Sequence, residues 1–274
     1  MARTGPTTLA LPPFEGATRR LILICLGVFF AQAILSWVLP ANLYAMVFGH
    51  LGLVPRDLFH GAVWQLLTFT FVPMDLLSEL FTLLFLWFIG SMLEELRGAK
   101  WLYELFFTSA IAGGLLASVI SLTHVLGLSP GSEGSSPYAA IYGLLIAVYL
   151  LMGDREFLFF FVIRMKAKYM VAIYILIDTA RLLLHADPFG ALLHLSGALC
   201  GFLVLKYVPR RGVSYAFTER YFAIRNEFYR AKRRSAAKKF EVYMRGQNRD
   251  VHFDKDGKYV DPDDKDPQDK RWMN

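Results

Sequence analysis

Six apolar runs punctuate the first two hundred residues: Leu21–Leu39, Leu76–Leu96, Trp101–Thr123, Tyr138–Met152, Tyr169–His185 and Gly190–Tyr207. Crossing a hydrocarbon core of about 30 Å takes about twenty helical residues. The fourth run is the short one, and a short helix persists in lipid only where other helices enclose it. The pattern predicts an all-α integral membrane protein built as a six-transmembrane-helix bundle, with the fourth helix at its centre. After Pro209 the pattern changes. Phe217, Tyr221, Ile224 and Phe228 recur at spacings of four, three and four, which is one face of a helix. Arg220, Arg225, Arg230, Lys232, Arg233, Arg234, Lys238 and Lys239 surround that face. A basic amphipathic helical tail of this kind, with Phe217, Tyr221, Phe228, Arg233 and Arg234 as its contacts, is expected to lie on anionic lipid headgroups.

The chain thus divides into an N-terminal segment (1–20), a membrane domain (21–208) and a tail (209–274). Within the membrane domain, the amphipathic connection Pro40–Val63 is expected in the outer interface. The Gly-, Ser- and Pro-rich stretch Gly127–Pro137 is expected to be a flexible loop. In the tail, Asp254-Lys255-Asp256-Gly257 between two short apolar runs signals a hairpin turn. The calcium-loop spacing is not met there, since His252 stands where the first Asp belongs. The acidic, Pro-containing stretch Asp261–Asn274 is expected to lack structure on its own.

Composition sharpens the same picture. Hydrophobic residues make up 55% of the 274 and charged residues 19%, against about 45–50% and a quarter in soluble domains. Seventeen of the 29 Lys and Arg lie after Pro209, so the basic balance belongs to the tail and argues for lipid rather than nucleic acid as its partner. Cys25 and Cys200 sit inside apolar runs and read as packing residues. No Cys/His spacing suggests a metal, and no cofactor is expected. The first run is too long for a signal-peptide core of about 7–15 residues, so it is expected to remain as a helix. Arg19, Arg20, Arg97, Lys100, Arg155, Arg164, Lys166 and Lys168 all fall on one side of the bundle. By the positive-inside rule both termini are expected in the cytoplasm, with a bacterial inner membrane as the expected location.

Four blocks keep a recognisable order and spacing. They are Trp64-Gln65-Leu66-Leu67-Thr68-Phe69-Thr70-Phe71, then Leu86-Trp87-Phe88-Ile89-Gly90 with Leu93-Glu94 and Gly98, then Ala139-Ala140-Ile141-Tyr142-Gly143, and His194-Leu195-Ser196-Gly197-Ala198-Leu199-Cys200-Gly201. Over roughly residues 50–205 the chain resembles the rhomboid intramembrane serine proteases. The resemblance implies a serine nucleophile five residues before Gly143, where this chain has Tyr138. It implies a His and an Asn as oxyanion donors on the second helix, where this chain has Ser78 and Thr82. Gln65 replaces the Arg of the family's Trp-Arg pair, and of the catalytic set His194 alone is retained. A phenol with a pKa of about 10 carries its oxygen too far out to act as that serine. Loss of oxyanion donors typically slows such chemistry about a hundred- to a thousand-fold. The resemblance therefore implies a pseudoprotease.

Several readings stay open at this stage. His194 is either a buried imidazole satisfied by a hydroxyl, Tyr138 included, or a contact to a ligand or client in the old active-site cavity. Asp178 and Arg181, three residues apart on the fifth helix, either neutralise one another or meet a partner helix. Ala139, Gly143 and Ala147 on the fourth helix, with Gly197 and Gly201 on the sixth, form small-residue stripes that allow close packing. The expected function is non-catalytic binding of another integral membrane protein, as an accessory subunit of a larger membrane complex. The alternative is an active rhomboid-type protease with a non-standard nucleophile, for which Ser136 is the candidate.

Overall fold

The structure is a computed structural model that describes residues 12–73, 76–159, 163–208, 213–247 and 251–260. The order of elements is α1 (Gly16–Val38), α2 (Ala41–Phe48), α3 (Pro55–Phe59), α4 (Gln65–Thr68), α5 (Leu76–Arg97), α6 (Ala99–Ser121), α7 (Tyr138–Met152), β1 (Glu156–Phe159), β2 (Ile163–Lys166), α8 (Ala167–Leu183), α9 (Pro188–Tyr207), α10 (Val213–Arg245), β3 (His252–Phe253) and β4 (Tyr259–Val260). Among the described residues, α1, α5, α6 and α9 are long and apolar enough to cross a membrane, and α7 is a shorter apolar helix. The chain forms two units, Met1–Gly212 and Val213–Asn274.

In the first unit the core is the three-helix contact of α6, α7 and α9. Every residue of α7 from Ala139 to Val148 is buried, which places this short helix among its neighbours rather than in lipid. Small residues make the approach possible. A side chain added at Gly197 would run into the Ala139 carbonyl, one at Gly201 would lie 2.6 Å from the Gly143 Cα, and one at Gly113 would lie 2.7 Å from the Gly197 Cα. Ser109 of α6 fills the space beside Gly143. Helices that approach this closely gain dispersion contact where lipid supplies no hydrophobic drive.

The start of α1 is held by the end of α5. Four N–H groups at a helix start have no partner within the helix, and here a distant carboxylate supplies one. Glu94 accepts hydrogen bonds from the Ala17 N–H (2.7 Å), the Thr18 N–H (2.9 Å) and the Thr18 hydroxyl (2.8 Å). The backbone turns into the helix at Gly16 with a φ of 65°, and a Cβ there would collide with the Glu94 carboxylate. Glu94→Ala is expected to lower stability by about 1–2 kcal/mol, the scale of losing a charged cap. Thermal unfolding of the purified protein in mild detergent measures this, and an unchanged midpoint would remove the cap from the account.

The segment between α1 and α5 is hung on α4. Trp64 Nε1 and Gln65 Nε2 both donate to the His50 carbonyl (3.1 and 3.4 Å). Gln65 Oε1 accepts from the Val54 N–H at 3.1 Å, and the Thr68 hydroxyl donates to the Leu51 carbonyl at 2.7 Å. The loop before α7, expected to be flexible, is instead tied to this segment. Leu53 and Gly134 exchange both backbone hydrogen bonds (2.7 and 2.9 Å), the Arg56 N–H donates to the Pro130 carbonyl (2.8 Å), and the Ser136 N–H donates to the Phe69 carbonyl (2.9 Å). Glycine and serine mark the stretch as a free loop, but pairing with a segment far back in the chain is invisible to composition.

The two hairpins differ in how far neighbouring residues announce them. That between α7 and α8, with Glu156 opposite Lys166, carries no turn signal of the kind seen at Asp254. Its aromatic and β-branched residues suit strands, but they merge with the apolar runs on either side. The hairpin in the second unit falls where Asp254 and Gly257 signal it. His252 pairs with Val260 and Phe253 with Tyr259, and Gly257 turns with a φ of 76°. Asp254 Oδ1 accepts from the N–H groups of Lys258 and Asp256, both at 2.8 Å. The Lys258 N–H foremost, against slight burial, holds the Asp254 carboxyl below its ordinary range. That oxygen faces inward to the turn, and no metal-ligating cluster occurs among the described residues. The stretch Asp261–Asn274 and the first eleven residues lie outside the described residues.

Candidate functional site

Three helices, α7, α8 and α9, meet at His194. The residue lies on α9 seven positions after Asp187, two helical turns along the same face. Its ring stacks on Tyr142 of α7, with centroids 5.1 Å apart and planes 29° from parallel. Tyr138, one turn earlier on α7, lies at 5.1 Å and 46°. Tyr142 meets Tyr174 of α8 edge-on at 6.4 Å and donates its hydroxyl to the Tyr174 carbonyl at 3.3 Å. Tyr174 in turn meets Phe85 of α5 at 5.5 Å. A ladder of rings thus runs from the α5–α8 edge inward to His194.

The imidazole is anchored by a carboxylate. His194 Nδ1 lies 2.9 Å from Asp178 Oδ2, and since a carboxylate only accepts, Nδ1 carries the hydrogen. Asp178 also accepts from Arg181 at 2.9 Å, and Arg181 reaches Asp187 at 2.7 Å. Asp187 caps α9 by accepting from the Gly190 N–H at 3.0 Å, and adopts a φ of 61° to do so. The side chain of Asp178 is 2% exposed, that of His194 12% and that of Arg181 38%. One guanidinium therefore ties together a buried carboxylate on α8 and the N-cap of α9, and the buried carboxylate orients the imidazole.

Within the chain the partner of His194 is Asp178 rather than the Tyr138 hydroxyl, and Tyr138 contributes its ring instead. Asp178 and Arg181 pair with one another, and Arg181 pairs with Asp187 as well. Tyr142, Tyr174, Phe85 and Asp187 were not singled out in the sequence, although signals for some existed. Tyr138 and Tyr142 are four apart, Tyr174, Asp178 and Arg181 are spaced four and three, and Asp187 before Pro188 has the form of an N-cap.

The other family positions are occupied otherwise. Thr82 donates its hydroxyl to the Ser78 carbonyl one turn earlier at 2.6 Å, so that group is committed to its own helix. Ser136 is buried and precedes α7 with a φ of 112°; among the described residues its recorded bond is the backbone one to Phe69. Ala139, Gly143 and Ala147 stand on the buried α7 and Gly197 and Gly201 on α9 where the two helices meet. With Nδ1 held by Asp178, Nε2 is the ring nitrogen left for a further contact. General-base chemistry here would still require a nucleophile and a donor for the oxyanion.

In the second unit, Tyr221 and Phe228 are exposed along α10, as are Arg233 and Arg234. Arg234 pairs with Asp256 of the hairpin at 3.5 Å, and Gly257 packs on the Arg233 backbone. These two cations thus belong to the hairpin side and not with the aromatic stripe, because they stand on the far side of the helix. The side chain of Phe217 lies outside the described residues.

Comparison with known families identifies one match. The family described as eukaryotic integral membrane protein (DUF1751) covers residues 22–238, more than half of the 274, and it is a family assigned to rhomboid-like proteins. No curated protein matches the chain. The family is eukaryotic, which overturns the expectation of a bacterial inner membrane. Hydropathy and charge asymmetry report that a chain is in a membrane and which way it faces, but not whose membrane it is.

Proposed function

The chain belongs to this rhomboid-like family of eukaryotic integral membrane proteins, and from that premise we propose that it is a pseudoprotease that binds another membrane protein without cutting it. In this reading α7 and α8 complete a six-span body with α1, α5, α6 and α9, and the client helix enters between α5 and α8. The ring ladder from Phe85 to His194 carries the proposal, because it offers aromatic and polar contact leading inward from the α5–α8 edge. Leu77 and Phe81 stand two turns and one turn before Phe85 on the same face of α5, and both are exposed. Ile177, one position before Asp178, is exposed on α8. Aromatic rings give large contact area at little entropic cost, which suits recognition. Assembly as an accessory subunit of a larger complex is the specific form of this proposal.

Photo-crosslinking in native membranes tests it. A photoreactive residue at Phe81 is expected to trap a discrete membrane protein, whereas one at Leu23 on the exposed face of α1 is expected to trap none. Equal patterns at both positions would defeat the proposal. The enzymatic alternative predicts labelling by a serine-directed fluorophosphonate that vanishes in Ser136→Ala. No labelling is expected, and labelling that depends on both Ser136 and His194 would reverse the reading.

A further inference from the structure

The second unit separates its two faces in a way that assigns one of them a partner. At 3.6 residues per turn, Tyr221, Ile224, Phe228 and Val242 form one stripe along α10. All four are exposed, Ile224 at 68% and Phe228 at 65%. Arg230 lies two residues beyond Phe228, about 200° around the helix and so on the opposite side. Ala237, one of the buried residues in this unit, is two turns further along that opposite side. It is there that the hairpin docks: Asp256 pairs with Arg230 (3.8 Å) and Arg234 (3.5 Å), Phe253 meets Phe240 edge-on at 6.2 Å, and Gly257 packs on the backbone of Arg233.

The hairpin therefore docks on the side of this helix away from the stripe and leaves Tyr221, Ile224, Phe228 and Val242 bare. An ordinary soluble unit covers such a stripe, since burying aromatic surface is what drives packing. The charges sort in the same way. Arg220, Arg225, Lys232, Lys238 and Lys239 flank the bare stripe, all exposed and none ion-paired among the described residues. Arg225 lies over the rings of Tyr221 (6.0 Å) and Phe222 (4.6 Å), at the edge of the stripe. Of the three acids on α10, Glu219 and Glu241 stand on the hairpin side and Glu227 at the boundary. The front thus combines aromatic side chains with cations alone.

We infer that this front is a docking surface for an anionic bilayer, with Tyr221, Ile224, Phe228 and Val242 at the headgroup boundary and the flanking Lys and Arg on lipid phosphates and carboxylates. Charge complementarity selects the occupant. A protein groove for an amphipathic helix takes up its apolar anchors and leaves its flanks in water, whereas an anionic leaflet uses stripe and flanks together. Five residues of chain separate α10 from α9, a helix long and apolar enough to cross a membrane. The hairpin's part is to neutralise Arg230 and Arg234 on the reverse side, so that the cations facing lipid are those beside the stripe.

The test uses the full chain in lipid nanodiscs, with buried Cys25 and Cys200 replaced by Ala. An environment-sensitive fluorophore is placed on Ile224→Cys at the front or on Asn226→Cys at the back. In discs containing phosphatidylserine and brominated lipid, the front probe is expected to shift to the blue and to be quenched, with the back probe unaffected. In phosphatidylcholine discs, or at high salt, the quenching is expected to fade. Reversing Lys232 and Lys239 to Glu is expected to lower the surface-bound fraction about fivefold per charge, whereas Asp256→Asn leaves the front signal in place. These two reversals lie at exposed positions and the helix signal in circular dichroism controls for folding. Quenching of both probes alike, equal quenching in neutral and anionic discs, or no quenching until a protein partner is added would each overturn the assignment.

Discussion

Asp178→Ala is expected to destabilise the membrane unit by about 3–5 kcal/mol, the range for removing one member of a buried charge network. Asp178 is the hub. It is 2% exposed, and it holds both His194 and Arg181. Its removal leaves an imidazole N–H without an acceptor inside the bundle and a guanidinium with Asp187 alone. The tie between α8 and α9 then rests on the half-exposed Arg181–Asp187 pair and on the packing of the two helices. Arg181→Ala is expected to cost less, because the arginine is 38% exposed and water replaces part of what it provides. Denaturant or thermal unfolding in nanodiscs measures the two variants side by side. Equal losses, or a larger loss at Arg181, would show that the carboxylate is not the hub. His194→Ala is informative beside them: in a binding protein it weakens client capture, and it does not reveal a lost hydrolysis.

The second large effect is expected at Gly197. Substitution by Val adds a branched Cβ where the α7 backbone already lies, against the carbonyl of Ala139. Backbone on both sides of the crossing cannot swing away as a side chain can. The helices must part, which loses contact along the whole α7–α9 seam and disturbs Gly113 on α6 as well. The expected cost is about 3 kcal/mol or more, at the upper end of overpacking, seen as a lowered unfolding midpoint and a broadened size-exclusion peak. Gly27→Ala is the matched control. It sits in the middle of α1 with nothing within 4 Å of the added Cβ, and it is expected to be neutral or to stabilise by up to about 1 kcal/mol. A Gly197 variant that behaves like the Gly27 variant would remove close packing as the reason for the small-residue stripe.

Both effects involve residues that stood out in the sequence, yet for reasons the sequence carried only in part. The Ala139–Gly143–Ala147 and Gly197–Gly201 stripes are visible because helical spacing puts residues four apart on one face. The third member of the crossing is α6, through Gly113 and Ser109. Ser109, Gly113, Ala117 and Ser121 recur at every fourth position and are all buried, so a stripe marks α6 as well; what the spacing does not say is which helices it meets. His194 was conspicuous through its motif, and Asp178 and Arg181 through their cost in a membrane. That they belong to one network was hidden, since sixteen residues and a helical corner separate Asp178 from His194. In the tail, one helical face was legible from the recurrence of aromatic residues. Arg233 and Arg234, expected beside that face, lie instead where Gly257 and Asp256 of the hairpin meet the helix.

Membrane residence, the helical runs and the hairpin turn at Asp254 were determined by the sequence alone. Each depends on neighbouring residues: hydrocarbon length, helical period and a glycine able to take positive φ. Tertiary structure alone decided which group satisfies His194, which loop pins the entrance to α7, and which face of α10 is left bare. Those are long-range pairings, and their free energy comes from burial and hydrogen bonds formed only once distant segments meet. The glycine-rich stretch before α7 illustrates the division, flexible by its composition and yet held by Leu53, Arg56 and Phe69.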